Sequence, residues 1–133
     1  MADNFGLKIG LEGEKEFKAA LRDINQSFKV LGSEMNLVTS QFGKNNESME
    51  GLTAKNKVLN KEIEAQTEKI KTLEAALENA STSFGETDKR TQNWQIQLNN
   101  AQADLNKLNN EVKVNSDKID EQAKAFDESG ESA

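Results

Sequence analysis

The chain has 133 residues, a formal net charge of −6 at pH 7 and charged side chains at 30% of its positions. It contains no Cys, His, Pro or Tyr, and its six Phe and one Trp are too few large side chains for an ordinary globular core. Without Cys and His it lacks disulfides, the usual zinc ligands and the usual nucleophile–base pairs, while its acidity disfavours direct nucleic-acid binding. We therefore expect no catalytic residues, no cofactor and no metal.

The amino-terminal segment, residues 1–12, alternates Phe5, Leu7, Ile9 and Leu11 with glycine and charged residues. A period of two predicts a short strand, which would have to join another edge because a lone strand is unstable; a flexible leader is the alternative. The segment lacks the basic start and long apolar core of a signal peptide. No apolar run approaches the ~20 residues that span a bilayer, so we expect no membrane insertion by this chain.

An amphipathic helix is predicted over residues 13–42. Its apolar residues recur at alternating steps of four and three, which defines a heptad seam: Phe17, Leu21, Ile24, Phe28, Leu31, Met35, Val38 and Phe42. Glu12, Glu14 and Glu16 lie at its start, where negative charge complements the helix dipole. No pocket-forming pattern surrounds these carboxylates to make them an acid and base pair, so we expect no enzymatic activity.

Two long coiled-coil arms are predicted over residues 46–127, with a break at 84–88. Gly43 suits the end of the preceding helix, and Asn46 or Ser48 suits the start of the first arm. The small, acidic end of the chain, residues 128–133, is predicted to be disordered.

The seam of the arms is mainly apolar and is interrupted by polar residues. Its apolar members are Leu59, Ile63, Ile70, Leu73, Leu77, Trp94, Leu98, Leu105, Leu108, Val112 and Ile119. Its polar members are Asn56, Gln66, Asn115 and Gln122. Polar residues in a seam cost stability but commonly fix register or partner number. The mixture leaves the number of associating helices open, and we expect a homo-oligomer or docking on a partner.

The stretch SFGETDKR, residues 83–90, decides whether the arms fold back or form one rod. Gly85 is the usual residue just past a helix end, and Thr87 or Asp88 is a good N-cap. A hairpin centred after Gly85 would also place Asn56 beside Asn115, where the two amides could hydrogen-bond.

Other features favour a continuous parallel rod. The heptad phase is kept across the break, and a hairpin would bring Glu62 near Glu111 and Lys55 near Lys118. Each such contact is worth only a few tenths of a kcal/mol, whereas Gly85 and its neighbours disfavour an uninterrupted helix by about 1 kcal/mol or more. We therefore favour an all-α fold in which an antiparallel helical hairpin turns near Gly85, and the rod remains the alternative.

Three stretches together resemble the N-terminal region of tail tape measure proteins from bacteriophages and phage-tail-like particles. They are FGLKIGLEGEKEFKAALRDINQSFKVLGSEMNLVTSQF, LTAKNKVLNKEIEAQTEKIKTLEAAL and SFGETDKRTQNWQIQLNNAQADLNKLNNEV. The likeness covers roughly residues 5–126. Its most specific part is the ordered combination of the GLEGEKEFKAAL opening, the LGSEM to TSQF segment and the WQIQLNNAQADLNKL arm.

The resemblance implies a structural scaffold that sets tail length and templates assembly of the tail tube. It implies tail-tube, tail-end and tail assembly chaperone proteins as partners, in the host cytoplasm during assembly and afterwards in the tail lumen. Members of that family run to many hundreds of residues, so the chain is expected to be an N-terminal piece. The alternative function is a generic coiled-coil interaction module, such as an adaptor or a chaperone-binding segment.

Overall fold

The computed structural model describes the backbone of residues 2–132 and the side chains of residues 13–125. It contains helix α1 (Ala2–Phe42), a short 3-10 helix (Gly43–Asn45), helix α2 (Met49–Phe84) and helix α3 (Lys89–Ser132). No strand occurs in this described backbone. The prediction of an all-α fold is confirmed.

The two ends of the chain differ from the sequence-based expectation. The segment of residues 1–12, predicted as a strand or a flexible leader, is helical from Ala2 onwards. A helix satisfies its own backbone hydrogen bonds, whereas a single strand needs a second edge. Residues 128–133, predicted as disordered, are helical as far as Ser132. The side chains at both ends lie outside the described residues.

The turn between α1 and α2 forms at the predicted glycine. Gly43 has a φ of 51°, a left-handed conformation that glycine adopts without steric cost. The Asn46 side chain donates to the Gly43 carbonyl at 2.8 Å. The Ser48 hydroxyl accepts a hydrogen bond from the Gly51 N–H at 3.1 Å, so Ser48 is the N-cap of α2.

The turn between α2 and α3 forms at Gly85, which confirms the predicted hairpin. Gly85 has a φ of 90°, and its N–H donates to the Ser81 carbonyl at 2.9 Å, which closes the end of α2. Asp88, one of the two predicted caps, accepts a hydrogen bond from the Arg90 N–H at 2.8 Å. The left-handed glycine and the N-cap thus end one helix and start the next within a few residues.

The chain divides into two compact units, each built from a stretch of all three helices. The first unit comprises Met1–Ser27 and Ala65–Leu105. Its buried core consists of Leu21, Leu73, Ala76, Ala80, Trp94, Leu98 and Ala101, with Phe17, Ile70, Leu77 and Phe84 packed against it. The rings of Phe17 and Trp94 meet edge-on with centroids 6.4 Å apart. In this unit α1 therefore completes a core that α2 and α3 alone would leave open.

The second unit comprises Phe28–Glu64 and Asn106–Ala133. Its buried apolar side chains are Leu31, Leu52, Val58 and Leu59, whereas Val30, Leu37 and Val114 are exposed. Lys61 of α2 lies 3.6 Å from Glu34 of α1 in an exposed ion pair. Here too, α1 is the third helix beside the hairpin, with fewer fully buried apolar residues than in the first unit.

Candidate functional site

The two asparagines of the predicted seam meet across the hairpin. In the second unit, the Asn115 amide donates to the Asn56 carbonyl oxygen at 3.0 Å. The Asn56 amide in turn donates to the Ser116 hydroxyl at 3.3 Å. The pairing expected from a turn after Gly85 is thus present, and it ties one register of α2 to one register of α3.

The two glutamines of the seam also bond across elements. Gln66, only 3% exposed, donates its amide to the Ala101 carbonyl of α3 at 2.8 Å. Gln122 donates to the Glu47 carbonyl, in the α1–α2 turn, at 2.8 Å. Among the described residues, no buried side-chain nitrogen or oxygen lacks a partner. A shift in register would break both bonds and leave the buried Gln66 amide unpaired, at roughly 1–3 kcal/mol.

The like-charged lysines predicted to face each other are accommodated by the α1–α2 turn. Lys118 lies 3.1 Å from the Glu47 carboxylate, and Lys55 donates to the side-chain amide oxygen of Asn46 at 2.7 Å. The hydrogen bond and the charge of Lys118 lower the pKa of Glu47. The turn residues therefore supply acceptors that pairing between α2 and α3 alone does not.

The predicted proximity of Glu62 and Glu111 is retained in the second unit. The pKa of Glu62 is raised, first by burial and then by the negative charge of Glu111. An acid whose pKa rises on folding opposes folding when it is ionised. Burial and the contact with Glu111 therefore make ionised Glu62 slightly destabilising.

The Gly85 turn holds a compact charge cluster in the first unit. Arg90 Nε lies 2.9 Å from Asp88 Oδ1, and the guanidinium carbon lies 3.4 Å from the centre of the Phe84 ring. The side-chain and backbone hydrogen bonds from Arg90 lower the pKa of Asp88 to about 2. The cluster orders the start of α3 against the end of α2.

The seam residues differ in how deeply the structure buries them. Leu59, Leu73, Trp94 and Leu98 are buried. Ile63, Ile70, Leu77, Leu105, Leu108, Val112 and Ile119 are partly buried. The apolar seam is therefore a packing surface throughout its described length, with its most enclosed positions near the middle of α2 and the start of α3.

Sequence reasoning missed the side-chain hydrogen bond of Thr91 and the burial of Ala76. Thr91 is 4% exposed, and its hydroxyl donates to the Gly85 carbonyl at 2.7 Å. From the sequence, threonine at this position indicated only a lower helix propensity. Ala76 is buried in the same core as Leu73 and Ala80. Its spacing of four residues from Ala80 is the signal that could have identified it, because residues four apart lie on the same face of a helix.

An open groove lies between α2 and α3 in the first unit, with a volume of about 600 Å³. Its apolar lining residues are Leu77 and Leu98, and its acidic lining residues are Glu74, Glu78 and Glu86. None of the described residues of α1 lines it. Within the described side chains, one side of the α2–α3 pair is therefore uncovered.

The amino-terminal carboxylates do not form a site in the described part of the chain. Partly buried Glu14 lies 4.0 Å from exposed Lys18, one turn along α1, and Glu16 is exposed. The side chain of Glu12 lies outside the described residues. Among residues whose side chains are described, no group of three or more acidic residues is placed to hold a metal ion.

No helix in the described residues combines the length and the apolar character needed to cross a membrane. Comparison of the chain with protein-family models, with curated proteins and with solved structures finds no match. The functional interpretation therefore rests on the residues themselves.

Proposed function

We propose that this chain is a helical scaffold that serves as an N-terminal segment of a phage tail tape measure protein. The observation that carries the proposal is how the seam is used: its apolar residues pack against other helices, and its four polar residues bond across elements. Such an arrangement fixes the length of the helices and their register, and it does not bring reactive groups together. The resemblance of residues 5–126 to tape measure proteins supplies the specific setting.

Helix geometry explains how such a segment would contribute to length. An α-helix rises about 1.5 Å per residue, so one heptad accounts for about 10 Å. A hairpin that stays folded in the tail contributes the length of one arm. A hairpin that opens contributes the length of both.

The test is to delete paired heptads in the full-length protein and measure tails by electron microscopy. Deleting residues 63–69 of α2 together with 102–108 of α3 preserves the pairing of the remaining arms. Tails should shorten by about 10 Å if the hairpin stays folded and by about 20 Å if it opens. Replacing both heptads with others of equal length and the same seam should restore the original length. Unchanged tails after deletion would contradict a role in setting length.

A second candidate function is that of an interaction module without any role in length. The observation that favours it is the uncovered side of the α2–α3 pair in the first unit, with an apolar lining and three carboxylates. If this is the function, paired-heptad deletion leaves tail length unchanged, whereas substitution of the residues that line the groove prevents partner binding.

A further inference from the structure

The groove in the first unit combines an apolar base with a negatively charged rim. Leu98 is buried and Leu77 partly buried at its base. Glu74 and Glu78 are exposed on α2, and Glu86 is exposed in the turn beyond it. None of the ten lining residues is Lys or Arg. The surface thus offers apolar contact along its centre and negative charge at its edge.

Within the described part of the chain, the three carboxylates of this rim, Glu74, Glu78 and Glu86, have no cationic partner at ion-pair distance. Nearby Arg90 is engaged with Asp88 and with the Phe84 ring. The rim therefore presents unpaired negative charge to whatever occupies the groove.

The groove is elongated along α2, which suits a helix better than a compact ligand. Its lining residues on α2 run from Glu74 to Thr82, about 12 Å at the rise of a helix, and Glu86 extends the lining into the turn beyond α2. A helix of roughly three turns laid in the groove would place residues three and four apart against Leu77 and Leu98. Its flanking residues would reach the rim.

We infer that this groove docks a basic amphipathic helix from a different protein, with Leu-sized residues on its buried face and Lys or Arg beside them. Symmetric docking of a second copy would set one row of glutamates against another, which like-charge repulsion opposes. A cationic helix meets both the apolar base and the unpaired rim. This inference concerns a binding surface and stands apart from any role in tail length.

The test uses the full chain and a defined probe. The probe is a fluorescent helical peptide of about 18 residues, long enough to cover the groove, made of Leu, Ala and Lys with Leu at steps of three and four. Binding is followed by fluorescence anisotropy, and amide chemical shifts locate it on the protein. A peptide with Glu in place of every Lys tests the charge requirement, and one with Gln in place of every Leu tests the apolar requirement.

Matched charge variants then place the binding. Glu74→Lys with Glu78→Lys should weaken binding at least about tenfold, because two attractions become repulsions. The control, Glu16→Lys with Glu68→Lys, changes net charge equally at exposed positions outside the groove and should alter binding less than about threefold. Glu74→Gln with Glu78→Gln should give an intermediate loss. Circular dichroism establishes that each variant is folded.

Several results would overturn the inference. Equal loss in the groove and control variants would assign the effect to net charge alone. Equal binding of the acidic peptide, or shifts confined to amides outside the groove, would exclude a basic helix at this site. Self-association of the unmodified chain that the groove variants abolish would assign the groove to a second copy instead. Tail length in the heptad deletions is measured separately from peptide binding. The binding surface and the role in tail length can therefore be contradicted independently.

Discussion

At the centre of the first unit Leu73 is fully enclosed and the rings of Phe17 and Trp94 meet edge-on. In the second unit the partly buried Asn56 and Asn115 are bonded to each other. The first unit is stabilised mainly by burial of apolar surface, at roughly 25 cal/mol per Å². The second contains the Asn56–Asn115 amide pair and the Lys61–Glu34 contact between its helices, whereas the polar bond between the helices of the first is that of Gln66 to Ala101.

Apolar burial and polar bonding have different effects on the fold: burial stabilises it, and polar bonds select one register of the helices. Apolar residues spaced by heptads pack almost equally well after a shift of one heptad, because the next apolar residue takes the place of the last. A shift of one heptad would set Asn115 against Ile63 in one direction or Asn56 against Leu108 in the other, so at least one asparagine loses its partner. We infer that the first unit contributes most of the folding free energy, and that the Asn56–Asn115 pair of the second unit, together with the Gln66–Ala101 bond of the first, specifies the pairing.

The largest expected effect is in the first unit. Trp94→Ala should destabilise the chain by about 3–5 kcal/mol, because it removes a large buried ring and leaves a cavity against Phe17. Unfolding in urea followed by circular dichroism measures this change. Ile96→Ala on the same helix is the control: Ile96 is 56% exposed, so its loss should cost no more than about 0.5 kcal/mol. Equal effects would contradict the proposed core.

The next effect tests the amide pair of the second unit. Asn56→Ala should cost about 1–2 kcal/mol, because it leaves the Asn115 amide without its acceptor. Asn60→Ala, at an exposed position on the same helix, should be close to neutral in the same urea experiment.

Replacing both members of the pair separates register from stability. Asn56→Leu with Asn115→Leu should leave stability unchanged or raise it, while broadening the distribution of oligomers in sedimentation velocity. A double variant with the same sedimentation as the parent would show that the amides do not specify the pairing.

Glycine substitutions compare the turn of the first unit with a helix in the second. Gly85→Ala should cost about 1 kcal/mol, because φ is 90° while no atom lies within 4 Å of the added methyl group. Gly32→Ala, inside α1 and equally free of contacts, should stabilise by about 0.5–1 kcal/mol. Thermal unfolding shows both shifts, and effects of the same sign would contradict the assigned turn.

The smallest effect is electrostatic and lies in the second unit. Glu62→Gln should stabilise the chain by roughly 0.3 kcal/mol at pH 7, because burial and Glu111 raise the pKa of Glu62 and so penalise its ionised form. The gain should disappear as pH falls through the raised pKa, since protonation then relieves the same penalty in the parent.

The matched control for this effect is Glu111→Gln. A double-mutant cycle at neutral pH should give less than additive gains, because either substitution removes the same repulsion. Strictly additive gains, or a gain that persists at low pH, would assign the effect to something other than this pair.

The hairpin could be predicted because its signals are local. Gly85 and Asp88 carry the conformational and capping preferences of a turn, and once the turn is placed, counting along the helices brings Asn56 to Asn115. Seam periodicity also indicated which residues of α2 and α3 are buried, as at Leu73 and Leu98.

The packing of α1 could not be predicted in the same way. A heptad seam identifies the apolar face of a helix but not the helix that covers it, so the contact of Phe17 with Trp94 had no signal in the sequence. The acceptors for Lys55 and Lys118 were also missed. They are Asn46 and Glu47 of the α1–α2 turn, and the seam does not show where that turn lies relative to the lysines. The groove depends on which side of the hairpin α1 leaves open.

The distance between spin labels on the two arms tests the antiparallel hairpin most directly. The chain has no cysteine, so Glu68→Cys and Gln102→Cys, at exposed positions of α2 and α3, can be labelled selectively. Dilution with unlabelled chain removes distances between molecules. The hairpin predicts about 20 Å, because these residues flank the Gln66–Ala101 hydrogen bond. A continuous helix predicts about 50 Å, and that distance would contradict the fold.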